Sequence, residues 1–110
     1  MIGALVLTVV AVAAPARVQV TANEYSLTLS RSTVKAGPAI VELVNLGEDP
    51  HDLRIQRLGV KRARVFGVRR LEPQGVDDVE RKLVPGRYRL WCSIGNDRAL
   101  GMVATLRVKK

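Results

Sequence analysis

Val84-Pro85-Gly86-Arg87-Tyr88-Arg89-Leu90-Trp91-Cys92 reads as a tight turn that launches a strand. Tyr88, Leu90 and Cys92 fall on one side of it, and Arg87, Arg89 and Trp91 on the other, the period-two alternation of a half-buried strand. Downstream, Gly95-Asn96-Asp97 is a strong turn former. A final strand follows over Met102 to Val108, with Ala104, Leu106 and Val108 facing in and Thr105 and Arg107 facing out. Upstream, Val18 and Val20 alternate with polar neighbours, as do Tyr25, Leu27 and Leu29. Thr33 to Ala36 leads into a Gly37-Pro38 turn and a strand over Ala39 to Val44. Asn45 to Pro50 is a loop rich in turn formers, and Leu53 and Ile55 share one face of a short strand after it. Between Gln56 and Gly75 the apolar residues Val65, Phe66, Val68 and Leu71 have a weak helix-like spacing, read as a crossover with a helical turn or an irregular strand. Six to eight short strands with frequent turn signals predict a small antiparallel sandwich or barrel.

The chain has 110 residues and a formal net charge of +8, enough for one domain. Residues 1–16 carry no charge, and Ile2 to Ala14 is almost wholly aliphatic. That length matches the apolar core of a signal peptide, with Ala14-Pro15-Ala16 as a small-x-small cleavage site; a membrane span needs ~20 apolar residues. The expected organisation is a leader over 1–16, without the usual basic residues ahead of it, and a domain over 17–110. The alternative for the leader is a buried first strand. Seven of the 18 basic residues lie between Arg54 and Arg70. An exported domain of this charge suits an acidic partner protein or an anionic cell-envelope surface, the plainer reading being a solvated surface. Four scattered aromatics (Tyr25, Phe66, Tyr88, Trp91) offer little stacking, which argues against nucleic acid. Membrane attachment is expected only through an uncleaved leader, and the chain is expected to be a monomer. Cys92 is the single cysteine, so no intramolecular disulfide exists and its thiol needs burial or a metal to escape oxidation.

Cys92 ends an inward-facing strand pattern and Met102 starts the next strand, so the loop between them brings thiol and thioether to one end of the sandwich. His51, the only histidine, emerges from a loop that can lie at the same end. Thiolate, imidazole and a weak axial thioether form a donor set suited to copper, soft sulfur favouring Cu(I) and nitrogen Cu(II). Each residue also has a plainer reading. Cys92 can be a small buried hydrophobe, Met102 core filling, His51 a loop residue bonded to a carbonyl, and Asp97 a turn residue.

Three stretches together resemble the cupredoxins, the plastocyanin- and azurin-like blue copper proteins. Asn45-Leu46-Gly47-Glu48-Asp49-Pro50-His51-Asp52-Leu53 resembles that family's first-histidine loop. Pro85 to Cys92 resembles its turn and strand into the ligand cysteine, and Ala99-Leu100-Gly101-Met102 the close of its ligand loop. The resemblance implies a Greek-key antiparallel β-sandwich and copper ligands at His51, Cys92 and Met102. Where the family has Pro-Gly-His, this chain has Gly95-Asn96-Asp97, so Asp97 stands in place of the second imidazole. A carboxylate is a harder donor and favours Cu(II) or Zn(II) over Cu(I). Three outcomes follow: an altered copper site, a zinc-compatible site, or no metal.

The expectation is an all-β, exported cupredoxin-like protein that is not an enzyme, binding copper for electron transfer or copper handling in the cell envelope. The alternative is a metal-free binding module that docks anionic partners through its basic segment. A Cys92/His51 hydrolase would need a paired base and an oxyanion site, and the sequence has a signature for neither.

Overall fold

The computed structural model describes residues 3–9 and 14–110. Among these, nine strands occur: β1 (Ala16–Asn23), β2 (Ser26–Leu29), β3 (Thr33–Lys35), β4 (Gly37–Asn45), β5 (His51–Arg57), β6 (Phe66–Leu71), β7 (Val76–Leu83), β8 (Gly86–Trp91) and β9 (Val103–Lys109). A one-turn helix α1 (Asp97–Leu100) sits between β8 and β9. One sheet has the order β2-β1-β4-β7 and the other β3-β9-β8-β5-β6. The chain passes repeatedly from one sheet to the other, giving the expected β-sandwich. Most pairings are antiparallel, but β1–β4 and β3–β9 are parallel. Parallel partners need a crossover; for β1 and β4 it is supplied by β2 and by β3 in the opposite sheet.

Alternation along each strand builds the core. Val18, Val20 and Ala22 of β1 and Ala39, Val41 and Leu43 of β4 face Leu53 and Ile55 of β5, Tyr88 and Leu90 of β8, and Leu106 and Val108 of β9, all buried. Each fully buried Val, Leu or Ile side chain contributes about 1.5–3 kcal/mol relative to exposure. Truncating one near the centre, such as Leu90, costs about 2–5 kcal/mol. The Tyr88 hydroxyl donates to the Val84 carbonyl (2.8 Å), which ties the turn to the strand it launches.

Two local readings are corrected. Gly37-Pro38 opens β4 rather than forming a turn, the chain bending at Ala36 as it passes from β3 in one sheet to β4 in the other, and Gly37 has φ +124°. The helix-like spacing after Gln56 belongs to strand β6. His51 pairs with Leu71 but Leu53 with Val68, so Arg69 and Arg70 both stand opposite Asp52. This bulge inserts one residue between two inward positions. Val68 and Leu71 therefore both point to the core three residues apart, as on a helix. Gly67 allows the close approach of β6 to β5, because a Cβ there would lie 1.8 Å from the Leu53 carbonyl oxygen.

Part of the expected leader, residues 1–2 and 10–13, lies outside the described residues. Residues 3–9 are exposed and have no regular structure, and Ala16 is already the first residue of β1. Among the described residues no helix is long and apolar enough to cross a membrane.

Candidate metal centre

His51 is the first residue of β5, not part of the loop before it, and its side chain is fully buried. Asn45, buried at the end of β4, holds that loop in place. Its amide donates to the carbonyls of Asp49 (2.8 Å) and Leu71 (3.0 Å), and its Oδ1 accepts the Gly47 N–H (2.9 Å). Both imidazole nitrogens face carboxylates: Nε2 lies 2.8 Å from Glu24 Oε1, and Nδ1 3.0 Å from Asp97 Oδ2.

Glu24 lies in the turn between β1 and β2 and has no signal in the sequence. Its carboxylate also accepts the N–H groups of Asp49 (2.8 Å) and Glu48 (3.1 Å). These donors, the Asp49 N–H foremost and His51 next, lower its pKa to about 2. The space it fills exists because residue 47 is glycine; a Cβ there would sit 2.5 Å from Glu24 Oε1.

Cys92 follows directly on β8 in line with its buried positions Tyr88 and Leu90, and its N–H donates to the Met102 carbonyl (3.1 Å). The two sulfur-bearing residues are thus backbone partners at one end of the sandwich, and both are fully buried. Between them α1 turns the chain: the Asp97 N–H donates to Ile94 O (3.1 Å), and the Met102 N–H to Asp97 O (3.0 Å). Asp97 is therefore a turn residue, yet its side chain points inward and is only 14% exposed. Its shorter reach is sufficient, with Oδ2 lying 3.5 Å from Cys92 Sγ as well as 3.0 Å from the imidazole. Burial, opposed by nearby N–H groups and reinforced by the Asp52 and Asp97 carboxylates, raises the thiol pKa to about 11.

The structure thus brings His51, Cys92 and Asp97 into one cluster and places Met102 beside Cys92. Among the described residues, His51, Cys92 and Asp97 form a group able to hold a metal ion, with donor atoms within 4.8 Å of one another. The distances permit a direct test of fit. Bonds of about 2.0–2.1 Å to N or O and 2.3 Å to S, at angles between tetrahedral and trigonal, separate S from N or O by about 3.5–3.7 Å and N from O by about 3.3–3.5 Å. Here Sγ–Nδ1 is 3.7 Å, Sγ–Oδ2 3.5 Å and Nδ1–Oδ2 3.0 Å. Only the last pair must open, by a few tenths of an ångström. With Nε2 against Glu24, the Nδ1 edge of the ring is the one turned to Asp97 and Cys92, where a metal ion would bind.

Asp52 and Ser93 went unnoticed in the sequence, although each directly follows a candidate ligand. Asp52 is buried, accepts both the N–H (2.7 Å) and the hydroxyl of Ser93, and lies 3.3 Å from Arg54 Nε.

No family model and no curated relative matches the chain. Solved structures do. The dithionite-reduced auracyanin of Roseiflexus castenholzii matches with a TM-score of 0.72 at 16% identity, over 89% of this chain and 100% of that one. Auracyanin A, a "blue" copper protein from Chloroflexus aurantiacus, matches with a TM-score of 0.68 at 11% identity, over 87% and 100%. A purple cupredoxin from Nitrosopumilus maritimus gives 0.55 at 20% identity, over 86% and 99%. The protein has the cupredoxin fold. Its cluster of His51, Cys92, Asp97 and Met102 fits a modified copper site.

Proposed function

We propose that this protein is a small exported copper protein acting in one-electron transfer or copper handling in the cell envelope, with its metal held by Cys92, His51 and Asp97 and with Met102 beside them. The observation that carries this reading is the convergence of thiol, imidazole and carboxylate at separations matching a bound first-row ion. Copper, when bound, supplies exchange of a single electron between two oxidation states.

The chain's own residues set the terms of that chemistry. Cys92 contributes a soft donor, which burial keeps protonated until a metal displaces the proton. Asp97 contributes a hard anionic donor that, beside the thiolate, favours a divalent ion. Glu24 accepts Nε2–H and so leaves the Nδ1 lone pair directed at the cluster, as carboxylates commonly do behind ligating histidines. The hydrogen bonds that Ser93 donates to Asp52 and that the Cys92 N–H donates to Met102 hold the two ligand-bearing segments together, which limits rearrangement. A thiol hydrolase is disfavoured by the same facts: Cys92 and His51 are fully buried, and the thiol pKa is raised where an activated nucleophile needs it lowered. Export is supported by the uncharged leader.

The test is addition of Cu(II) to the reduced protein. A thiolate-to-copper charge-transfer band that is absent in Cys92→Ala, with copper retained through dialysis, supports the proposal. No band and no retained metal in either protein refutes it. Zn(II) retention without copper binding would reassign the site to zinc.

A further inference from the structure

The outer face of the five-stranded sheet carries a concentration of charge that the metal cluster does not explain. Register places Arg54 beside Trp91, Gln56 beside Arg89, Arg89 beside Thr105, and Arg87 beside Arg107. On the edge strand Thr33 stands beside Arg107, and Lys35 beside Lys109. Residues paired across strands share a face, so Arg54, Arg87, Arg89, Arg107, Lys109 and Lys35 all project from one side. The only acidic residue at these positions of β3, β5, β8 and β9 is Asp52, which is buried and already engaged by Ser93 and Arg54. The remaining outward acids lie on the other sheet, where Glu42, Asp78 and Glu80 are mixed with Arg17 and Lys82.

Two features argue against an ordinary solvated surface. Arg87 faces Arg107 and Lys35 faces Lys109 directly, and like charges directly opposite are destabilising. In addition, Arg89, near the middle of the face, has a buried Nε with no hydrogen-bond partner. Apart from the two contacts of His51, the ion pairs of the described residues use Arg54, Arg69 and Arg70, and none uses Arg87, Arg89, Arg107, Lys35 or Lys109. Trp91 lies on the same face, its ring stacked under the Arg98 guanidinium at 4.7 Å.

We propose that this sheet face is a docking surface for an acidic protein. Guanidinium groups outnumber ammonium groups on it, and their planar fork suits bidentate contact with carboxylates. Arg and Trp are also the residues that anchor protein interfaces. A lipid surface fits less well, because the outward positions offer no long aliphatic or aromatic side chain free to insert beneath headgroups. The docking role concerns a different surface from the metal cluster and stands whether or not a metal is bound. It also shifts the expected contact from the segment Arg54–Arg70 to residues far apart in sequence.

The test uses the full chain and two charge-reversal variants that lower the net charge equally: Arg87→Glu with Arg107→Glu on the face, and Arg62→Glu with Arg64→Glu in the β5–β6 turn. Each is titrated with soluble polyglutamate as the acidic polypeptide probe, and with phosphatidylcholine vesicles containing phosphatidylglycerol at about 30 mol %. The face variant should lose about tenfold or more in polyglutamate affinity, with the turn variant much closer to wild type. Amide shift changes in the wild type should map to β3, β8 and β9. Equal losses in the two variants, or shifts centred on Lys61–Arg64, would overturn the proposal. Tighter binding to the vesicles than to polyglutamate would replace it with a membrane surface. Arg87→Gln with Arg107→Gln guards against misfolding: relief of the like-charge pair should preserve or raise Tm while affinity still falls.

Discussion

Asp52 and Ser93, each the residue after a candidate ligand, are joined by two hydrogen bonds, with the Asp52 carboxylate accepting both the backbone N–H and the hydroxyl of Ser93. This clasp crosses from β5 to the ligand loop and fixes His51 relative to Cys92. Asp52→Ala should lower stability by about 0.5–1.5 kcal/mol, because both hydrogen bonds of the clasp are lost and water can reach the exposed Ser93 donors. Urea unfolding measures this loss. Asp52→Asn, which keeps one acceptor oxygen, should cost less.

Glu24 should act as a positioning residue behind His51. Glu24→Gln keeps the shape but removes the charge, and should weaken Cu(II) binding about 10–100-fold in a chelator competition. The reduction potential should rise, because the more positive oxidation state loses anionic support. Unchanged affinity and potential in Glu24→Gln, with wild type binding copper normally, would show that the carboxylate only braces the loop.

The same carboxylate should shape the acid limb of stability. Its pKa is about 2 in the folded protein against 4.5 normally. Its stabilising effect is therefore present above about pH 4.5 and lost as pH falls towards 2. Thermal melts across that range should show a steeper decline in wild type than in Glu24→Gln.

The thiol governs the alkaline side. Cys92 ionises near pH 11 in the folded protein against 9.0 normally, so metal-free protein should lose stability between those values, at up to about 1.4 kcal/mol per pH unit. Cys92→Ala should flatten that decline. Iodoacetamide should react slowly with native protein at neutral pH and readily once it is unfolded.

Asp97→His restores a second imidazole where the carboxylate already reaches the cluster. With Cu(II) it should produce an intense visible thiolate-to-copper band, recorded by absorption spectroscopy. A variant that stays colourless and copper-free would show that the surrounding loop has lost the geometry for two imidazoles.

Most strands were legible because their signals are local; β7 was not, since Leu83 is its only fully buried residue and it lacks a clear apolar alternation. Alternation in Val18–Ala22 or Tyr88–Cys92 and turn residues such as Pro85-Gly86 act within a few residues, and burial of one strand face follows from them. The β6 segment misled because a bulge, a property of the pairing with β5, sets Val68 and Leu71 at a helical interval. The ligand candidates were legible from residue type and spacing, but their relations were not. Glu24 and Asp97 meet His51 across 27 and 46 residues of chain, and the basic sheet face gathers residues from Lys35 to Lys109. Contacts at such separations leave no periodic trace in a single sequence. They arise when two sheets pack and a bulge, a one-turn helix and a glycine without a Cβ aim particular side chains at one another. Sequence pattern alone thus established an all-β sandwich or barrel with Cys92 and Met102 flanking one loop, and the resemblance to cupredoxins narrowed it to a sandwich with His51 as a further candidate ligand. Packing decided that Asp97 turns inward, that Glu24 stands behind His51, and that the arginines share one face.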